Sequence, residues 1–265
     1  MTQMSPFLVA QITDIHLFSD SSKELLGLPT SKSFEAVIEQ LKKLRPQPDM
    51  LLLTGDLSQD GTPESYRRVA NLLNPLQIPT YWLPGNHDRP PVMEQVLNQY
   101  PIYPQKSFQA GSWQFLLLNS HAPGCVHGHL SAQELNWLDQ QLKLVGEQPT
   151  IIALHHPPFR VSSDWLDTNT LQNSEDLFAV IDRYPQVQMV VFGHIHQEFD
   201  QWRRGVRYLG SPSTSIQFEP QSNKFSLDQI SPGFRLLNLF PDGTFNTQIE
   251  RVTYTHQMDL AATGY

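Results

Sequence analysis

Residues that commonly bind metal ions follow the ends of several predicted strands. The chain contains ten histidines and one cysteine, and many of the histidines stand beside aspartate or asparagine in short polar segments. Each of these segments comes directly after an apolar run that predicts a buried strand. Neutral imidazole is the commonest metal-ligating side chain, and carboxylate and amide oxygens often complete such sites. The candidate ligands, in chain order, are Asp14, His16, Asp56, Asn86, His155, His194 and His196.

Asp56 is the carboxylate around which this pattern is organised. It ends an apolar run in a Gly-Asp turn, and taken alone it would be interpreted as a turn cap. Asp14 and His16 lie two residues apart, as do His194 and His196, so in an extended segment the members of each pair point to the same side. A lone Asp-x-His pair is typical of a surface turn. Four further strand ends of the same kind favour one shared site.

Residues 84–88 (Pro-Gly-Asn-His-Asp) follow a third predicted strand. A turn requires glycine, asparagine or aspartate, but it has no requirement for the histidine between them. Asn86 can offer a neutral oxygen to a metal ion, and His87 can donate a proton or a hydrogen bond to an anion. This turn therefore adds both a ligand and a candidate acid to the site.

The elements that must position these residues alternate between strands and helices. This alternation favours a layered α/β fold formed by one domain over residues 1–265, with a C-terminal β-hairpin at about 233–252. In such folds ligands collect at the carboxyl ends of the strands. Residues 160–173 are predicted to be a flexible loop over the site and residues 254–265 a frayed tail. Strands are predicted at 7–12, 50–54, 78–83, 150–154 and 187–192, and helices at 31–44, from Pro63, from Ser131 and at 174–184.

Seven candidate ligands are too many for one four-coordinate ion but suit two ions that share a carboxylate. The ligand types, oxygen and imidazole without thiolate, suit Mn, Fe, Zn or Co. Two metal ions at about 3.5–4 Å form the recurring clamp for in-line displacement at phosphorus. The sequence thus indicates a dinuclear centre and chemistry on a phosphate ester.

Composition and charge exclude several other classes of protein. The net charge of −8 and the pI of about 5.6 argue against binding of a nucleic-acid polymer, although bound cations would still allow a small anion. A single cysteine, Cys125, rules out an intramolecular disulfide and a cysteine-rich zinc site. No signal peptide is visible and no apolar run approaches the roughly 20 residues of a membrane span. We expect a cytoplasmic protein that does not bind membranes.

A second histidine cluster lies in residues 120–129, which contain His121, His127, His129 and Cys125. One interpretation is a further metal site. The glycine and proline content favours a mobile surface loop with an incidental free thiol. The sequence alone leaves the role of this loop open.

The strand-end segments resemble the five signature blocks of the calcineurin-like metallophosphoesterase superfamily. The resemblance runs from about residue 7 to 212. Residues 210–218 and 232–235 further resemble the bacterial class III 3',5'-cyclic-AMP phosphodiesterases. The five blocks are Asp14-x-His16, Gly-Asp at 55–56, Gly-Asn-His-Asp at 85–88, His155 with Pro157, and Gly-His-x-His at 193–196.

This resemblance implies an αββα sandwich of two packed mixed β-sheets flanked by helices, and it implies a role for each site residue. Asp14, His16, Asp56 and His196 would hold the first metal ion, and Asp56, Asn86, His155 and His194 the second, so that Asp56 bridges. His155 is preferred to His156 because the family ligand stands two residues before a proline. His87 would contact the phosphate, with Asp88 orienting it. His156 would stand behind the ligands or line the substrate pocket, where it would join Asn86 and His87.

The implied activity is hydrolysis of 3',5'-cyclic AMP to 5'-AMP by in-line attack of a metal-activated hydroxide. Protonated His87 would then stabilise the charge at phosphorus or protonate the leaving 3'-oxygen. A broader diesterase or monoesterase acting on glycerophosphodiesters or 2',3'-cyclic nucleotides is the alternative, and a non-catalytic metal-binding module is a third. Oligomeric state is open, a homodimer being one possibility.

Overall fold

The computed structural model describes residues 5–254 and 256–264 and contains two six-stranded sheets and six α-helices in these residues. The helices are α1 (Thr30–Lys43), α2 (Pro63–Leu73), α3 (Pro90–Leu97), α4 (Ala132–Val145), α5 (Asp164–Asp167) and α6 (Ser174–Ile181). The strands are β1 (Phe7–Ile12), β2 (Met50–Thr54), β3 (Thr80–Leu83), β4 (Ile102–Tyr103), β5 (Ser107–Ala110), β6 (Trp113–Leu117), β7 (Thr150–Ala153), β8 (Val187–Phe192), β9 (Phe199–Arg203), β10 (Val206–Gly210), β11 (Gln217–Phe218), β12 (Leu227–Asp228), β13 (Gly233–Leu239) and β14 (Phe245–Arg251).

Both large sheets are mixed. The first has the order β14-β13-β1-β2-β3-β4, in which β1 to β4 run parallel and β13 and β14 are antiparallel to their neighbours. The second has the order β5-β6-β7-β8-β10-β9, in which β6, β7, β8 and β10 run parallel. The predicted C-terminal hairpin is β13–β14, and it completes the first sheet because β13 pairs with β1.

Alternating side chains in the strands produce three apolar layers. In β2, Met50 and Leu52 face a buried cluster shared with strands of the second sheet, whereas Leu51 and Leu53 face α1, α2 and α3. The outer face of the second sheet packs in the same way against α4 and α6. Because successive residues of a strand point to opposite faces, one continuous apolar run supplies both layers. The predicted αββα sandwich is confirmed.

Two helices were not predicted from the sequence. Helix α3 begins at Pro90, and proline is favoured at the first position of a helix because its missing N–H is not needed there. Helix α5 is a single short helix within residues 160–173, for which the sequence predicts a loop throughout. The remaining predicted elements are present with small shifts at their ends.

The C-terminal tail lacks regular secondary structure, as expected, but it is packed rather than frayed. Tyr254 and Met258 contact the apolar clusters, and the amide of Asp259 donates a hydrogen bond to the carbonyl of Leu26 at 3.0 Å. Residues 255 and 265 lie outside the described part. Among the described residues, no helix combines the length and the apolar character needed to cross a bilayer.

Candidate metal centre

The parallel strands of both sheets end at one edge of the sandwich, and the candidate ligands follow those ends. β1, β2 and β3 of the first sheet lead into the segments with Asp14, Asp56 and Asn86, while β7 and β8 of the second lead into those with His155 and His194. Four groups of side chains bring their ligand atoms within 4.8 Å of one another. These groups are Asp14, His16 and His196; Asp14, Asp56 and His155; His16, Asp56 and His87; and His155, His156 and His194.

Three of the imidazole rings are held by hydrogen bonds at Nδ1. His155 bonds the carbonyl oxygen of Thr54 at 2.7 Å, His196 that of Ile216 at 2.8 Å, and His16 bonds Oε1 of Gln59 at 2.6 Å. Because these partners only accept, each Nδ1 carries a proton, and in the neutral ring Nε2 then presents a lone pair to the site. This is the tautomer that binds a metal ion through Nε2.

The resulting lone pairs face one another in a first position. Nε2 of His16 and Nε2 of His196 lie 3.3 Å apart, and Oδ1 of Asp14 lies 3.3 Å from Nε2 of His196. Two ring lone pairs and a carboxylate oxygen at these distances repel unless a cation lies between them. The donor set therefore fits a metal ion.

A second position has the same character. Nε2 of His155 lies 3.2 Å from Oδ1 of Asn86 and 3.3 Å from Oδ2 of Asp56. That same Asp56 oxygen is 3.9 Å from Nε2 of His16 in the first position. Nε2 of His194 is buried and has no hydrogen-bond partner among the described residues. Asp56 thus stands between two groups of electron-pair donors, each suited to a cation.

The pKa values of the buried histidines and aspartates are shifted by burial and by the close contacts between these side chains. Burial disfavours the charged form of His155, but the adjacent carboxylate of Asp56 outweighs it and raises the pKa of His155 to about 9. Burial lowers the pKa of His16 to about 3, and burial together with His155 lowers the pKa of His194 to about 3. Burial would raise the pKa of Asp14, but His196 reverses this and lowers it to about 2. Metal ions bind ionised carboxylates and neutral imidazoles, so an ion beside Asp56 would displace the proton that this carboxylate otherwise holds on His155.

Five of the candidate ligands have left-handed backbone conformations. Such φ values cost roughly 1–2 kcal/mol for a residue other than glycine and persist only where the surroundings enforce them. Sharp turns of this kind aim side chains from adjacent segments at one point. The values are 54° for Asp14, 52° for His16, 51° for Asp56, 70° for His194 and 49° for His196.

Two glycines of the site are required by close approach. A Cβ atom on Gly85 would lie 2.2 Å from Oδ1 of Asp56, and one on Gly193 would lie 2.0 Å from Oγ1 of Thr13 and 2.9 Å from Oδ2 of Asp14. Any side chain at either position would crowd the carboxylate of a candidate ligand. The glycines of these turns thus secure the space in which the acidic side chains lie.

His87 and Asp88 follow Asn86 but differ in environment. His87 is half-buried at the edge of a cavity, and its amide donates to Oδ1 of Asp56 at 2.8 Å. Asp88 is buried and accepts hydrogen bonds from the amides of Leu57 and Gly85, among other donors. Burial raises the pKa of Asp88 to about 7, and the charge of Asp56 adds to the rise, whereas the amide hydrogen bonds oppose it. Asp88 therefore ties the turn after β2 to the turn after β3.

His156 is fully buried behind the ligands. Its Nδ1 lies 2.8 Å from Oγ of Ser120, and its Nε2 lies 3.1 Å from the carbonyl oxygen of Val126. Burial, with repulsion from the neighbouring His194 and His155, holds its pKa well below the usual range. A neutral ring that donates to the Val126 carbonyl fixes the 120–129 segment beside the site.

Residues 120–129 form a turn over the cavity. Gly128 pairs with the 160–172 region, since its amide donates to the carbonyl of Thr170 and its own carbonyl accepts from Gln172. Cys125 and Val126 line the cavity. In the described part of the chain, no metal-ligating group contains His121, His127, His129 or Cys125. The geometry gives no support to a second metal site there.

The sequence did not reveal the groups that hold the ligands in place. Gln59 orients His16, and the hydroxyls of Ser213 and Ser215 donate to the carbonyl of Asp14 at 2.7 and 3.0 Å. Ile216 supplies the carbonyl that orients His196. The pattern of residues 210–215 is that of a turn, yet these serines are buried. In the sequence, these serines are marked only by a polar run directly after a strand, and a surface turn would show the same pattern.

Comparison with known proteins agrees with this geometry. A family model described as calcineurin-like phosphoesterase matches residues 7–198. The chain is 56% identical over 263 residues to a 3',5'-cyclic-nucleotide phosphodiesterase of Nostoc sp., with 99% of each chain covered. It is 40% identical over 259 residues to the 3',5'-cyclic adenosine monophosphate phosphodiesterase CpdA of Escherichia coli K12, with 97% of this chain and 94% of that protein covered.

Among solved structures, a dimetal phosphatase from Danio rerio superposes with a TM-score of 0.72 at 16% identity, covering 98% of this chain and 100% of the other. At 16% identity, this similarity shows only that the two proteins share a fold. The family match, together with residues positioned to hold metal ions, defines a metallophosphoesterase. The chain belongs to the calcineurin-like phosphoesterase family, as its signature blocks predicted.

Proposed function

We propose that this protein hydrolyses 3',5'-cyclic AMP to 5'-AMP. The observation that carries the proposal is the clustered set of candidate ligands, all buried except the half-buried Asn86, in a chain whose relatives at 40–56% identity, over nearly their whole length, are named as cyclic-nucleotide phosphodiesterases. This substrate is a small anion. The net charge of −8 argues against a nucleic-acid polymer as the substrate, but it does not exclude a small anion held by bound cations.

We propose that Asp14, His16, Asp56 and His196 hold one metal ion and that Asp56, Asn86, His155 and His194 hold the other. Support comes from the two positions at which electron-pair donors face each other at 3.2–3.3 Å. Two bound ions would lower the pKa of a water molecule and neutralise charge on the phosphoryl oxygens. Fe, Mn and Zn, and also Co, fit a set of oxygen and imidazole ligands.

His87 would act on the phosphodiester itself. Its ring lies within 5.0 Å of the His16 ring, centroid to centroid, and it is half-buried where the cavity opens. From this position the ring can donate a hydrogen bond to a phosphoryl oxygen or a proton to the leaving 3'-oxygen. Asn86 lies beside it and can contact both a metal ion and the substrate.

Asp88 and His156 would act mainly through the loops that they hold. Asp88 fixes the turn that carries His87, which is one way of orienting that histidine. His156 fixes the 120–129 segment, part of which lines the cavity. A cytoplasmic location, a homodimer and the single-domain organisation stay predictions.

A substrate panel tests the proposed function. The metal-loaded protein is assayed with 3',5'-cyclic AMP, 3',5'-cyclic GMP, 2',3'-cyclic AMP, a glycerophosphodiester and p-nitrophenyl phosphate. We expect the highest kcat/KM for a 3',5'-cyclic nucleotide. Negligible turnover of 3',5'-cyclic AMP alongside rapid hydrolysis of another ester would replace this proposal by the broader esterase. No turnover of any ester would support the non-catalytic module.

A further inference from the structure

A cavity of about 790 Å³ opens directly above the metal centre. Asn86, His87 and His194 form its floor. Its volume lies in the range of about 300–1,000 Å³ that small-molecule sites occupy. The phosphoryl group of a diester at the metal centre would leave the rest of the substrate in this space, which we name the aromatic pocket.

Three aromatic rings from separate segments form one wall of the aromatic pocket. Trp165 of α5 lies edge-on to Phe218 of β11, with ring centroids 4.9 Å apart, and edge-on to Phe225 at 5.0 Å. Phe218 and Phe225 are themselves 5.6 Å apart. Trp165 and Phe225 are only partly buried, so ring surface remains exposed to the cavity. Such a wall is suited to stacking against a flat ring system.

Polar groups accompany these rings. Asn169, Asn223 and Lys224 line the same cavity, as do Thr263 and Gly264 of the C-terminal tail, and Nδ2 of Asn169 donates to the carbonyl of Trp165 at 3.1 Å. An asparagine amide both donates and accepts, which matches the edge of a nucleobase. In the described residues, Nε1 of Trp165 is buried without a hydrogen-bond partner. The pocket thus combines flat apolar surface with groups able to pair with ring nitrogens and hydroxyls.

The aromatic wall is continuous with the metal centre. The ring of Phe218 stacks on the ring of His196 with centroids 4.2 Å apart and an angle of 12° between the planes. A ligand with a phosphate at the metal centre and an aromatic ring against this wall therefore needs only a short spacer between them. A nucleoside cyclic phosphate has this form.

We infer that the aromatic pocket is the nucleoside-binding subsite, in which the base stacks against Trp165 and Phe225. Asn169 and Asn223 read the edge of the base, and the C-terminal tail closes the outer side. This inference rests on the proposed function and names the residues that select a nucleotide over other diesters. Phe225 is the residue to vary, because it lies in an irregular segment between β11 and β12 and is only partly buried.

The test compares Phe225→Ala and Phe225→Tyr with the remote control Trp202→Ala. Trp202 lies on the edge strand β9 and is 59% exposed. kcat/KM is measured for 3',5'-cyclic AMP and for its abasic analogue, ribose 3',5'-cyclic phosphate without a base. Because base stacking on an aromatic side chain contributes substantially to binding, we expect Phe225→Ala to lower kcat/KM for cyclic AMP about tenfold. The abasic analogue should stay within twofold, Phe225→Tyr should retain wild-type values, and Trp202→Ala should change neither substrate.

Binding of 5'-AMP and of ribose 5-phosphate to the metal-loaded protein provides a readout that does not depend on turnover. We expect Phe225→Ala to weaken only 5'-AMP, again about tenfold. Equal losses for the ligand with and without the base, or no loss for either, would overturn the subsite. If the wild-type protein binds 5'-AMP more tightly than ribose 5-phosphate through Phe225 but turns over no cyclic AMP, the proposed function fails and the subsite stands.

Discussion

The Nε2 atoms of His16 and His196 lie 3.3 Å apart, although both rings carry their proton on Nδ1. Two lone pairs at this distance are unfavourable in a buried site unless a cation joins them. The interaction that fixes the first ring, the 2.6 Å hydrogen bond from His16 to Oε1 of Gln59, is therefore part of the metal site although Gln59 is no ligand.

Gln59→Leu should lower metal affinity while leaving every ligand in place. Partners that orient a metal-ligating histidine typically contribute 10- to 100-fold to metal affinity, so we expect a loss in that range. Gln59→Glu keeps an acceptor at the same position and should bind metal at least as well as Gln59→Leu does. Competition with a chelator measures both, and wild-type affinity in Gln59→Leu would show that the hydrogen bond has no such role.

Gly85→Ala should disrupt the centre by steric displacement. The added Cβ would lie 2.2 Å from Oδ1 of Asp56 and 2.5 Å from its amide nitrogen, and neither can move without shifting the proposed bridging ligand. We expect bound metal to fall and activity to drop at least ~100-fold, as happens when geometry at a reacting centre shifts by about 1 Å. Metal analysis and steady-state kinetics, with circular dichroism to verify folding, check this. A folded variant with full metal content and activity would contradict it.

His87→Ala should slow hydrolysis most when the leaving group is poor. If His87 protonates the leaving oxygen, its loss costs roughly 100- to 10,000-fold with cyclic AMP. A diester with a p-nitrophenolate leaving group needs no proton and should lose much less. The ratio of the two losses is the measurement, and equal losses would leave His87 a role in stabilising charge at phosphorus but none as a proton donor.

Asp60 should stabilise the fold in a pH-dependent manner. Burial alone would raise its pKa, but hydrogen bonds led by the amide of Ser19 lower it to about 2. Because the folded pKa lies below the unfolded value of 3.8, the stabilisation is present above pH 4 and is lost as the pH falls from 4 towards 2. After allowance for partial exposure, Asp60→Asn should lower the free energy of unfolding by about 1 kcal/mol at pH 7.

Urea unfolding of the Asp60→Asn variant and the wild type at pH 7, 4 and 3 provides the check. The difference between the two proteins should be largest at pH 7 and should shrink at pH 3. A difference that stays constant across this range would show that the carboxylate charge does not contribute.

Much of the fold was accessible from the sequence because apolar runs and capping residues mark its elements. Thr62, just before the predicted helix start at Pro63, caps α2, since its Oγ1 accepts from the amide of Ser65. Ser131 caps α4 in the same way, but Glu134 does not complete a capping box through its side chain, because Oε1 accepts from the amide of Asn119. Local pattern predicts which residues cap, whereas tertiary contacts decide where a long side chain bonds.

The ligand types were predictable because turn chemistry alone seldom places aspartate and histidine together at several strand ends. The supporting groups were not, because a backbone carbonyl, a glutamine side chain or a serine in a turn gives no distinctive sequence pattern. Ile216 contributes a carbonyl, which any residue could supply, and Ser213 and Ser215 are buried in a segment joined to β13, where the amide of Gly233 donates to the carbonyl of Ser213. The aromatic pocket has no sequence signature for a similar reason, since Trp165, Phe218 and Phe225 come from three segments with no common spacing.

The central claim is that Asp56 joins two metal ions in one catalytic centre. Its Oδ2 atom lies 3.3 Å from Nε2 of His155 in one position and 3.9 Å from Nε2 of His16 in the other. Metal content per chain, measured by elemental analysis on the wild type and Asp56→Asn alongside cyclic-AMP hydrolysis, tests this directly. We expect two ions in the wild type, fewer in the variant, and a larger loss of activity than for replacement of any one histidine ligand. Unchanged metal content and activity in Asp56→Asn would contradict the account.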